Sequence, residues 1–153
     1  QRDEILFTRH RDTCGWLTAD KRYKNWARND GKTVLWIRGD PGCGKSVLAA
    51  FLSAHLAIEN AAETFGKQYV VAYFFCNDKD ERLRTPHAIL ASLLAQILWQ
   101  EQDSFVHFST ESQYVMHRGL TVWDFPMLLR VLGRILKDDH IRPLCLLIDA
   151  LGM

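Results

Sequence analysis

The chain has 153 residues, enough for one ordinary domain and too few for two full ones. Its 48% hydrophobic and 24% charged residues are the proportions of a globular chain that can bury a core, which sets disorder aside. A net charge of +1 removes the electrostatic case for a nucleic-acid partner, and four scattered cysteines (14, 43, 76 and 145) without a C-x-x-C pair argue against a disulfide framework or a zinc site.

Residues 1–32 are charged and mixed, with Trp16 and Trp26 as apolar anchors, and Thr18 is placed to cap a helix running to Ala27. Asn29-Asp30-Gly31 reads as a turn. Residues 33–38 (TVLWIR) follow as a short apolar run closed by glycine, the pattern of a buried strand. Beyond a glycine-rich segment, Val47, Leu48, Phe51, Leu52, His55 and Leu56 recur at helical spacing, which predicts an amphipathic helix opening near Lys45. Gly66-Lys67 breaks that pattern. Residues 69–76 (YVVAYFFC) then predict a second strand, apolar enough to be covered on both faces and far short of the about 20 residues that span a bilayer.

A charged loop over residues 77–84 leads to Thr85-Pro86, an N-cap and a first-turn proline. The helix behind them has the stripe Ile89, Leu90, Leu93, Leu94, Ile97 and Leu98. A less regular helix is expected over residues 104–116. Thr121-x-x-Asp124 resembles a capping box ahead of a helix with Leu128, Leu129, Leu132, Ile135 and Leu136 on its buried side. Residues 144–148 (LCLLI) predict a third buried strand, which ends in Asp149. Strands alternating with helices point to an α/β fold with a parallel sheet.

One motif carries chemistry. Gly39-Asp40-Pro41-Gly42-Cys43-Gly44-Lys45-Ser46 matches G-x-x-x-x-G-K-[ST] at every position, with an apolar run before it and an amphipathic helix after it. Glycines let the backbone wind round phosphates in conformations that a Cβ forbids. The N–H groups and the helix N-terminus then face the anion. Lys45 is placed for the β- and γ-phosphates and Ser46 for Mg²⁺. An ordinary glycine turn explains Gly39 and Gly44 but not Lys45-Ser46. A dinucleotide site fits less well, because Val47 stands where a third glycine is needed.

Asp149, an acid at the end of an apolar strand, suits a Walker B carboxylate that holds Mg²⁺ through water and serves catalysis. Asp149-x-x-Gly152 also fits the D-x-x-G of GTPases, although the guanine-reading N-K-x-D is absent. ATP is therefore the expected nucleotide, with GTP as the alternative.

With both motifs placed, the sequence resembles the front half of a NACHT-type (STAND) P-loop domain of the fungal NOD-like, nephrocystin-3-like group. The resemblance rests on Thr13-Cys14-x-Trp16-Leu17, the run from Val34 to Ser46, Tyr73-Phe74-Phe75-Cys76, Arg84-Thr85-Pro86, residues 90–97 (LASLLAQI) and residues 146–151 (LLIDAL). It implies a three-layer P-loop NTPase sandwich with sheet order 5-1-4-3-2, here cut short after the Walker B strand. Residues 1–32 would form a helical lead-in and residues 33–153 a partial nucleotide-binding domain. It further implies a regulatory switch that binds ATP or GTP with Mg²⁺ and controls homo-oligomerisation, flanked by effector and repeat domains in a longer cytoplasmic protein. Residues 13–17 would lie beside the base. Gly152-Met153 stand where the family continues with Asp-Glu, acids that help activate water, so the resemblance supports binding more than hydrolysis. A non-hydrolysing interaction fragment and a GTPase remain the alternatives. In the family order, residues 33–38 would lack a strand on either side, or would pair directly with the third strand.

Overall fold

Residues 70–75 (VVAYFF) are apolar at every position, so a strand made of them must be covered on both faces. The computed structural model describes residues 2–7, 13–28, 33–62, 68–76, 85–117 and 123–149. In chain order these form helices α1 (Arg2–Phe7), α2 (Gly15–Ala19), α3 (Lys21–Arg28) and α4 (Lys45–Ala61), then strand β1 (Val70–Phe75). Helix α5 (Pro86–Gln100), a 3-10 turn (Gln102–Ser104), α6 (Phe105–His117), α7 (Phe125–Ile135) and β2 (Leu144–Asp149) follow. The fold is α/β: β1 and β2 form a parallel pair joined by a helical crossover, as parallel strands require. The chain divides into two compact units, Gln1–Lys67 with Asp149–Met153, and Gln68–Ile148.

The second unit holds the main core. Val70, Ala72 and Phe74 on one face of β1 cluster with Leu90, Leu93, Leu94 and Ile97 of α5 and with Leu128, Val131 and Ile135 of α7. The predicted α5 stripe therefore supplies this core. Its start also follows the sequence: Thr85 Oγ1 accepts from the Ala88 N–H at 3.1 Å, with Pro86 in the first turn. Helix α6 is tied to α7 through Glu111, whose side chain is 1% exposed. Its Oε1 accepts from Arg130 Nε at 2.8 Å, and Oε2 lies 3.0 Å from Arg134 Nη1. A buried carboxylate needs such partners, because an unpaired charge there costs several kcal/mol, roughly 3–5 when one partner is removed.

In the first unit, α1 packs on α4 and α2 on α3. Tyr23 of α3 sets its ring 6.2 Å from His55 and 5.8 Å from Trp26. Leu48, Leu52 and Leu56 supply the buried side of α4.

Three expectations are corrected. Residues 33–38 are not a strand and not buried: Val34 is 89% exposed and Trp36 69%, with the Arg38 guanidinium 4.8 Å from the Trp36 ring centre. Leu35 and Ile37 are half-buried, so the segment keeps the alternation of an extended chain. What it lacks is a neighbour, since the sheet has only two strands among the described residues. A ladder needs two chains, and propensity cannot supply the second. Of the two arrangements expected for this segment, the structure shows the unpaired one.

Thr18 does not open the first helix. It lies inside α2 and donates to Gly15 O at 3.0 Å, while the Asp20 carboxylate accepts from the Arg22 N–H at 2.7 Å where α3 begins. The bonds from Arg22 hold the Asp20 carboxyl down at about 2. Helix α7 is capped not by Thr121 but by Asp124, which accepts from the Met127 N–H at 2.8 Å. Thr121 itself, the turn at 29–31, the break at 66–67 and the loop at 77–84 lie outside the described residues.

Two outcomes are expected. Ile97, fully buried between β1 and α7, should cost about 2–5 kcal/mol in denaturant unfolding when truncated by Ile97→Ala. Amide exchange should be fast at residues 34–37 and slow at Val70 and Ala72. Strong protection across 34–37 would mean that this segment is paired in solution.

Candidate functional site

The 39–46 segment is a turn running into α4. Pro41 and Gly42 lie at the bend, and Gly42 (φ 77°) and Gly44 (φ 87°) both take left-handed backbone that only glycine adopts without strain. The loop closes on itself where the Cys43 N–H donates to Asp40 O at 3.2 Å. Gly39 has a different constraint: a Cβ there would sit 2.6 Å from Cys43 Sγ, so a side chain would push Cys43 out of the turn.

Lys45, the first residue of α4, folds back over this turn. Its ammonium donates to Gly39 O at 2.9 Å and to Asp40 O at 2.8 Å, and lies 4.0 Å from Cys43 Sγ. The cation is thus held at the mouth of the loop by main-chain carbonyls. Ser46 is exposed on the first turn of the helix.

The N-terminus of α4 differs from those of α5 and α7. Thr85 and Asp124 cap their own helices, whereas Gly44 offers no side chain and α4 has no side-chain cap. The first N–H groups of a helix have no partner within it, so those of α4 are left for an acceptor from outside. Two glycines in left-handed conformation, uncapped N–H groups and one cation over the turn are together suited to a phosphate.

Asp149 ends β2, 6% exposed, and belongs with the loop to the first unit. The structure therefore gathers Gly39 to Ser46 into one turn. It does not bond Asp149 to them: among the described residues no hydrogen bond or ion pair joins the two. Nor does any group of three His, Cys, Asp or Glu side chains converge among the described residues as a metal site would require. Gly152 of the D-x-x-G pattern is outside the described residues. A groove of about 460 Å³ in the second unit, walled by Phe105, Phe108 and Trp123, has no charged residue in its lining and so offers phosphate no cation.

Residues 12–152 match the family described as Nephrocystin 3, N-terminal. The chain belongs to this family. The match covers nearly the whole sequence and bears out the NACHT-type, nephrocystin-3-like resemblance read from the motifs. This family member is also 27% identical over 144 residues to the vegetative incompatibility protein HET-E-1 of Podospora anserina. That alignment takes in 92% of the chain but 10% of the relative, so the chain spans about a tenth of that protein's length. No solved structure matches the chain. No helix among the described residues is long and apolar enough to cross a membrane.

One feature near the start escaped sequence reasoning. Cys14 carries φ 75° just before α2, the one non-glycine residue with positive φ among the described residues. It is a buried position within residues 13–17, and nothing in its residue type announces left-handed backbone, which glycine or asparagine would have done.

The cysteines separate by environment. Burial in β2 pushes the Cys145 thiol up to about 11, whereas Cys43 is exposed in the loop. Alkylation at pH 8 should therefore label Cys43 well before Cys145, since the thiolate is the reactive form. Mass spectrometry of a partly labelled sample reads the order, and faster labelling of Cys145 would place that strand in solvent.

Proposed function

We propose that this chain binds a Mg²⁺-nucleotide, ATP in preference to GTP, at Gly39–Ser46. The observation that carries the reading is the contrast between helix ends: α5 and α7 are closed by their own side chains, while α4 is left open behind two left-handed glycines with Lys45 over the turn. On this reading the loop N–H groups and Lys45 hold the phosphates, and Ser46 and Asp149 hold the ion that neutralises them. Lys45 exchanges its two carbonyl acceptors for phosphate oxygens, a stronger, charge-assisted pairing.

Family membership and the likeness to a much longer relative support the further reading of a STAND-type regulatory module. In the longer protein the parallel pair joins the larger sheet of a P-loop sandwich, where residues 33–38 gain strand neighbours. Nucleotide occupancy then acts as the switch for assembly and signalling in the cytoplasm. The relative's name places it in vegetative incompatibility, and we infer a related regulatory setting for this chain. Binding, not turnover, is the activity assigned. Asp149 is the carboxylate that would serve catalysis if turnover occurs.

Calorimetry with Mg²⁺-ATP tests the site. Lys45→Ala removes charge-assisted bonds and should weaken binding by about 10- to 100-fold. Mg²⁺-ATP should also slow alkylation of Cys43 in the wild-type chain. Equal affinity of mutant and wild type would rule out the loop as the phosphate site.

A further inference from the structure

Backbone N–H and C=O groups of a strand alternate between its two edges, so β1 has an edge towards β2 and an edge away from it. The Val70 N–H donates to Pro143 O at 2.8 Å, which turns residues 70, 72 and 74 towards β2. Val71 and Tyr73 therefore direct their backbone groups to the outer edge. A bare outer edge is a template for strand pairing.

That edge is occupied by two side chains of α5. Gln100 Oε1 accepts from the Val71 N–H at 3.2 Å and its Nε2 donates to Val71 O at 2.8 Å. Gln96 repeats the pattern on Tyr73, accepting from its N–H at 3.1 Å and donating to its C=O at 2.8 Å. Each carboxamide thus offers one donor and one acceptor to a single residue, as a peptide group on a neighbouring strand does. The register works because four residues of helix rise about 6.0 Å and two of strand about 6.6 Å. Further bonds hold the amides in place: Gln96 Nε2 also donates to Ser92 O, Gln100 Nε2 to Gln96 O, and Arg142 donates to both Gln100 O and Glu101.

We propose that Gln96 and Gln100 together act as a strand surrogate, ending the sheet at β1 and closing that edge to strand pairing with a second copy of the chain. The glutamines take the bonding positions of a further strand, and the helix behind them takes its space.

Hydrogen exchange on the full chain, read by NMR, tests this directly. In the wild type the Val71 and Tyr73 amides should exchange about as slowly as Val70 and Ala72, although they face away from the partner strand. Exchange as fast as at residues 34–37 would overturn the proposal. In the double variant Gln96→Met, Gln100→Met, which keeps length but not the amides, protection at Val71 and Tyr73 should fall by about tenfold or more relative to Val70. Sedimentation of that variant should show concentration-dependent self-association beyond the wild type. Unchanged protection, or lost protection without self-association, would refute the edge-closing role. Should the double variant not fold, the wild-type exchange pattern decides, together with Gln96→Met alone, which should lower protection at Tyr73 and leave Val71 protected. Equal loss at both, or at neither, would overturn the proposal.

Discussion

The seating of α5 on β1 is the constraint on which the rest of the second unit depends. A strand reading VVAYFF has apolar side chains on both faces and polar backbone along both edges, and each needs a different kind of cover. Helix α5 meets two of these needs at once. Its leucines and Ile97 cover one face, and its glutamines satisfy the outer edge. With α5 fixed, α7 packs into the same cluster and β2 pairs on the remaining edge. The position of β2 therefore derives from side chains roughly fifty residues earlier in the sequence.

The ends of the helices divide into two kinds. Helices α5 and α7 have their first N–H groups met by a residue of their own, threonine before α5 and aspartate before α7, whereas α2 and α4 have no side-chain cap. Such caps contribute about 0.5–2 kcal/mol each. Helix α4 forgoes that contribution, with glycine at the cap and no side-chain bond. A left-handed glycine where a capping side chain would add stability is the kind of local inconsistency that marks functional positions.

Sequence reasoning reached whatever is specified by neighbours in the chain. The Thr85-Pro86 start, the α5 stripe and the apolar strand ending in Asp149 are local patterns, and the structure repeats them within a residue or two. Residues 144–147 are only half-buried, however, and Ile148 is exposed where a buried strand was expected. That residues 39–46 turn into a helix at Lys45 was equally legible, because the turn's left-handed positions fall on glycines. Residues 33–38 were misread because a strand is a relation between two chain segments, and the apolar alternation of one segment says nothing of a missing partner. Gln96 and Gln100 were passed over for the opposite reason. A polar pair four apart on a helix reads as a solvated face, and only the adjoining strand edge reveals what the amides do. The cap at Asp124 lay one turn beyond the threonine that the motif favoured.

Lys45 grips two carbonyls of its own turn, so its cation already has an internal ligand in its own backbone. An incoming anion competes with that internal ligand, and a weakly charged group gains little by displacing two good acceptors. Each added phosphate deepens the attraction while the opposing term stays constant. If the loop takes phosphate as proposed, the same contacts of Lys45 would work as a charge threshold, favouring polyphosphates over single phosphates and carboxylates.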